Sequence, residues 1–80
     1  MPGTFTMYST PWCGYCHRLK RQLKHEGIAF DEVDIETDPN AAAVVERVNR
    51  GMQTVPTLVF TDGTALTNPS VAQVKARLAS

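Results

Sequence analysis

The chain has 80 residues, 42% hydrophobic and 20% charged, which fits one small globular domain and excludes a disordered or membrane-spanning chain. Eight Lys plus Arg against eight Asp plus Glu leave a net charge of zero, so the electrostatic footprint of a nucleic-acid or anionic-membrane binder is missing. The two cysteines are too few for a disulfide-stapled scaffold, which carries four, six or eight. The opening Met1-Pro2-Gly3-Thr4 has neither a basic stretch nor an apolar run after it, so a cytoplasmic, reducing environment is expected. There a Cys-x-x-Cys pair points to catalysis or metal binding. One domain over 1–80 buries a modest core, which places any chemistry near the surface.

In chain order, residues 4–9 alternate, are rich in β-formers and stop at Pro11, which predicts a first strand. Over 14–26 the apolar residues Tyr15, Cys16, Leu19 and Leu23 recur at helical spacing, with Gly27 as the stop. Residues 28–35 read as a second strand carrying Ile28, Phe30, Val33 and Ile35. Asp38-Pro39 is an N-cap with Pro at the first helical position, and a second helix follows through Ala42, Val45 and Val48 to Asn49 or Arg50. Residues 57–60 predict a third strand, Asp62-Gly63 a reversal, and 64–66 a short fourth strand. Asn68-Pro69 repeats the cap signal before a last helix with Val71, Val74 and Leu78 on one face. The order is βαβ followed by ββα. It predicts an α/β fold with a parallel first pair, a right-handed crossover and a four-stranded mixed sheet, covered by three helices that pack on the sheet rather than on each other.

Cys13 and Cys16 fall at the junction of the first strand and first helix. The first helical N–H groups lack partners there and the helix dipole is positive, so a thiolate is stabilised. Thiols in such places titrate at about 3.5 to 7.5 rather than near 8.5. Cys13 is the expected nucleophile and Cys16, one turn inward, the resolving thiol. Competing readings are haem attachment through Cys13-Gly14-Tyr15-Cys16-His17 with Met52 as a second ligand, zinc held with His17 and His25, and two inert small hydrophobes. The four strand signals disfavour haem, and the eight-residue spacing of the histidines disfavours zinc. The basic face made by Arg18, Lys20, Arg21 and Lys24 reads as solvated surface. Trp12, in the turn before Cys13, is expected to be partly exposed beside the thiol and to touch substrate. Thr54-Val55-Pro56 places a proline at the start of the third strand; a cis Val55-Pro56 bond would turn the Val55 backbone toward an extended substrate.

Taken together, Trp12-Cys13-Gly14-Tyr15-Cys16, Thr54-Val55-Pro56 and the βαβ-ββα order resemble the glutaredoxin branch of the thioredoxin fold over essentially the whole chain. The resemblance implies a thiol-disulfide oxidoreductase with no bound cofactor and no metal. It further implies a monomer that acts with a low-molecular-weight thiol on disulfide-containing or S-thiolated proteins. It also implies that Tyr15 walls the thiol groove and that Thr54, Val55, Pro56 and Asn68 bind substrate. Glutathione-using members carry a Lys where this chain has Thr10, and Gly-Gly-x-Asp where it has Thr67-Asn68-Pro69-Ser70. Those residues would meet the charged ends of glutathione. Their replacement, together with the Leu66-Thr67-Asn68-Pro69-Ser70 stretch, is similar to the mycoredoxins of actinobacteria, which use mycothiol, a cysteinyl sugar without carboxylates. The alternatives are a glutathione-dependent glutaredoxin, a thioredoxin-reductase-coupled redoxin serving ribonucleotide reductase, and a non-catalytic metal- or cluster-binding module.

Overall fold

The computed structural model describes residues 4–79, in the order β1 (Phe5–Ser9), α1 (Gly14–His25), β2 (Asp31–Asp34), α2 (Pro39–Val48), β3 (Thr57–Phe60), β4 (Ala65–Thr67) and α3 (Val71–Ala79). The one-domain reading over 1–80 includes residues 1–3 and 80, which lie outside the described residues. The strands form one sheet in the order β2-β1-β3-β4. β1 runs parallel to β2, with Tyr8 opposite Val33, and antiparallel to β3, with Met7 opposite Leu58; β3 and β4 are antiparallel.

Alternation along the central strands divides the interior into two layers. Phe5 and Met7 of β1, with Leu58 and Phe60 of β3, face α1 and α3, where they meet Cys13, Cys16, Leu19, Leu23 and Val74. On the other face Tyr8 and Val33 pack with Ile35, Ala41 and Val45 beneath α2. Met7, Leu23, Leu58, Val45 and Val74 are wholly buried. Each contributes roughly 1.5 to 3 kcal/mol of apolar transfer, so the core is small but complete on both faces. Helix punctuation follows the sequence. Asp38 accepts the N–H groups of Asn40 and Ala41, and Gly27, at φ 71°, lets the Ile28 N–H reach back to the Leu23 carbonyl at 3.0 Å.

Some expectations change. The second strand spans Asp31–Asp34 rather than 28–35. Ile28 is still bonded to the end of α1, and Phe30 stacks on Phe5 at 5.6 Å, so these residues close the core without joining the ladder. The fourth strand begins at Ala65 because the Thr64 N–H and hydroxyl both donate to Asp62 in the turn. Asn68-Pro69 does not cap α3. Ser70 does, its hydroxyl accepting the Gln73 N–H while the Gln73 carboxamide accepts the Ser70 N–H, a reciprocal capping box. Val48 and Leu78 are more than a third exposed and lie at the rim of the core. Finally, α1 and α3 also touch each other: their apolar residues share one cluster, and Lys75 pairs with Glu26 at 2.8 Å.

Candidate active site

The reactive end lies where β1 gives way to α1. The Cys13 N–H closes the intervening turn on the Thr10 carbonyl at 3.3 Å, and the His17 ring donates to the Pro11 carbonyl at 2.7 Å. Cys13 is the N-cap of α1. Its backbone is extended, its carbonyl accepts the His17 N–H, and its sulfur accepts the Cys16 N–H at 3.1 Å. A sulfur thus occupies the place that Ser, Thr or Asp usually fills, aligned with the positive end of the helix. The sulfurs of Cys13 and Cys16 are joined as a disulfide, with Cα atoms 5.2 Å apart. Cys13 is only 6% exposed and Cys16 1%. In the disulfide the Cys13 sulfur is turned to Cys16 and lies 3.8 Å from the Val55 carbonyl oxygen. A disulfide sulfur carries no hydrogen, so that approach is van der Waals contact.

Val55 belongs to the loop that opens β3, and the Val55-Pro56 peptide is cis. The loop is held from behind. The fully buried Thr57 donates its hydroxyl to the Thr54 carbonyl at 2.7 Å and accepts from the Asn49 carboxamide at 3.0 Å. Asn68, in a left-handed conformation at φ 47°, donates its N–H to the Pro56 carbonyl at 2.8 Å. Thr54, Val55, Pro56 and Asn68 are thereby tied together beside Cys13, which they meet at the Val55 carbonyl.

Trp12 and Tyr15 stand on the outer side, 71% and 67% exposed. Tyr15 borders a groove of about 370 Å³ between α1 and the start of α3, shared with Arg18, Gln22, Asn68 and Ser70. Trp12 is not loose: its indole N–H donates to a Glu36 carboxylate oxygen at 2.7 Å, and the Glu36 N–H donates to Asp34 at 2.8 Å. Thr10 is 4% exposed and its hydroxyl has no hydrogen-bond partner among the described residues. Beside it Glu32 accepts from Lys20 and Ser9. Burial raises the Glu32 pKa, but hydrogen bonds from Lys20 and Ser9 and the charges of Lys20 and Lys24 outweigh it, so the carboxyl titrates below its ordinary value. Among the described residues no three His, Cys, Asp or Glu side chains gather as a metal site. No helix among them is long and apolar enough to cross a membrane.

Sequence reasoning missed Glu36 and Asn49. Each acts through a side chain that meets its partner across many residues, and a single sequence holds no sign of such a meeting. Asn49 had a weak signal, a polar residue at the end of a helix.

A Cys-x-x-Cys disulfide capping the crossover helix of a four-stranded mixed sheet, opposite the residue before a proline, defines a thiol-disulfide oxidoreductase of the thioredoxin fold. The glutaredoxin family model matches residues 5–65, and the chain belongs to the glutaredoxin family. It is 58% identical over 76 residues to a glutaredoxin-named protein of Mycobacterium tuberculosis, covering 95% of this chain and 90% of that one. It is 41% identical over 73 residues to Mycoredoxin 1 of Corynebacterium glutamicum, covering 91% and 90%. Among solved structures it resembles a thioredoxin-like protein, with 25% identity, TM-score 0.76 and coverage of 90% of this chain and 96% of that one. It shares the fold of the Methanosarcina mazei glutaredoxin at TM-score 0.81, with 24% identity and coverage of 98% and 80%.

Proposed function

We propose that this chain reduces mixed disulfides between proteins and a small thiol, with Cys13 as the attacking sulfur, Cys16 as the resolving sulfur and mycothiol as the preferred thiol. In the reduced protein the Cys13 thiolate, at the N-cap of α1, keeps the Cys16 N–H as a donor. It attacks the small-thiol sulfur of the mixed disulfide. That S–S bond breaks, a Cys13–thiol disulfide forms, and the client leaves as a thiolate that takes a proton from water. A second small thiolate attacks the small-thiol sulfur held on Cys13, releasing the symmetric disulfide and the Cys13 thiolate. On a protein disulfide the Cys16 thiolate instead attacks Cys13 within the mixed intermediate. The second client sulfur leaves, and the Cys13–Cys16 bridge remains. Both sulfurs and the flanking loop come from one chain, so a monomer suffices. Trp12, Tyr15, Thr54, Val55, Pro56 and Asn68 form the walls that hold the substrate.

The observation that carries the thiol assignment is Thr10. It stands where glutathione-using relatives have a lysine, and it is buried, so no cation reaches the thiol from that position. Glutathione would forgo the charge-assisted bond that a lysine at this position supplies, a loss of about 1.5 to 3 kcal/mol per missing bond. The named mycoredoxin among the relatives supports the same reading. The test is a competition of reductants on the oxidised protein: glutathione, mycothiol, and NADPH with thioredoxin reductase. Mycothiol is expected to be fastest; equal or faster reduction by either rival refutes the assignment. A Cys16→Ser variant is expected to keep turnover on a mycothiol mixed disulfide, and complete loss of turnover rules out the monothiol route.

A further inference from the structure

We infer that Asn49, behind the loop that carries Val55 and outside contact with either sulfur, is a positioning residue that sets the substrate-facing backbone beside Cys13. Its own N–H closes α2 on the Val45 carbonyl at 3.0 Å. Its carboxamide nitrogen donates to the Val45 carbonyl at 2.8 Å and to the Thr57 hydroxyl at 3.0 Å, and its oxygen accepts the Thr67 hydroxyl at 2.8 Å.

The polarity of this network admits one arrangement. Thr57 uses its single proton on the Thr54 carbonyl, so its oxygen can only accept from Asn49. Thr67 is the donor on the other side. The amide therefore has to present NH₂ to Thr57 and oxygen to Thr67. One arm of the network fixes the Thr54 carbonyl, one residue before Val55, which lies against Cys13. The other fixes Thr67, next to Asn68, whose N–H binds the Pro56 carbonyl and ties the two arms together. Removing the amide leaves sulfur chemistry untouched and loosens the walls between which the substrate lies.

This inference rests on the proposed binding role of Val55 and Pro56, and the experiment separates the two. Asn49→Ala removes the amide. Asn49→Asp keeps its shape but turns a donor into an acceptor, so that the Thr57 hydroxyl swings to the carboxylate and releases Thr54. In steady-state turnover of a mycothiol–peptide mixed disulfide, both variants are expected to raise KM ~5- to 20-fold with kcat within about twofold, the signature of lost positioning rather than lost chemistry. In the oxidised protein the amide resonances of Val55 and Asn68 are expected to shift in both variants. An unchanged KM with unmoved Val55 and Asn68 resonances, or a fall in kcat alone, overturns the inference. Should the Asn49 variants fail to fold, Thr67→Val deletes one bond at an exposed position and is expected to raise KM ~2- to 5-fold, and an unchanged KM then overturns it. If the wild-type protein turns over the glutathione mixed disulfide and not the mycothiol one, the thiol assignment falls and the same KM comparison on the glutathione substrate decides the role of Asn49. If it turns over neither, the function reading falls and the two resonances decide.

Discussion

Substituting Glu36 tests whether the exposed indole beside the disulfide is a fixed wall or a mobile side chain. Trp12 is 71% exposed, so little packing restrains it, and the bond to the Glu36 carboxylate at 2.7 Å anchors it. A hydrogen bond to a charged acceptor contributes about 1.5 to 3 kcal/mol when sheltered, but exposed charged pairs give only ~0.2 to 1 kcal/mol. The exposure of Trp12 puts this bond at the upper end of the exposed range, about 0.5 to 1 kcal/mol, or a factor of roughly 2 to 5 in the population of the anchored indole. The Glu36 backbone N–H is held by Asp34, which fixes the point from which the carboxylate reaches the indole. Trp12 is the chain's single tryptophan, so its emission reports this contact directly. In Glu36→Ala, indole anisotropy is expected to fall and the change in emission between oxidised and reduced protein to shrink. KM for a mixed-disulfide substrate is expected to rise by about twofold to fivefold, following the lost population of the anchored state. Glu36→Gln, which retains an acceptor, is expected to lie between. Emission and KM identical to wild type in both variants would show that Trp12 is held by something other than this bond, and the reasoning would fail.

Ser70→Ala removes half of the capping box of α3 and is expected to cost about 1 kcal/mol, read as a fall in Tm of ~4 to 8 °C. Asn68→Ala tests the same assignment from the other side, because Asn68 contributes no cap and its Tm change is expected to reflect only its left-handed backbone. Glu32 titrates below its ordinary 4.5, so its pairing with Lys20 and Ser9 stabilises the protein above that pH and is lost as pH falls through the lowered value. Thermal melts of wild type and Glu32→Gln are accordingly expected to differ by no more than a few degrees near neutrality, the side chain being one-third exposed, and to converge in acid. Redox titration of the Cys13–Cys16 pair against a thiol buffer is expected to give a potential of about −200 to −230 mV, within the glutaredoxin range.

The element order was legible because its punctuation is local. Asp38-Pro39, Gly27 and Asp62-Gly63 each act within a few residues, and each does what its chemistry requires. Asn68-Pro69 shows the limit of such signals. A cap residue followed by proline heads α2 as Asp38-Pro39 but fails to head α3 as Asn68-Pro69, because Ser70, two residues on, and Gln73 satisfy each other's N–H groups and leave Asn68 to bond the Pro56 carbonyl. Ile28 and Phe30 misled for another reason: apolar residues that fill a core look alike whether or not their backbone joins a sheet. At the site, residues that stand in contiguous motifs could be named from the sequence. Those that act from a distance could not: Glu36, 24 residues from Trp12, and Asn49, 18 from Thr67, meet their partners only once the sheet has formed.

The two sulfurs are members of the larger hydrophobic cluster, in contact with the same group that holds Met7, Leu19, Leu23, Leu58 and Val74. Electron transfer here therefore rearranges part of the protein's interior, and the redox and folding equilibria form one closed thermodynamic cycle. A substitution at Leu19 or Val74, neither of which carries any reactive atom, shifts the potential by whatever it takes from one redox state more than the other. At 30 mV for each ~1.4 kcal/mol, a difference of about 1 kcal/mol moves the couple by roughly 20 mV, so the packing of this interior is itself an adjustable determinant of how strongly the protein reduces.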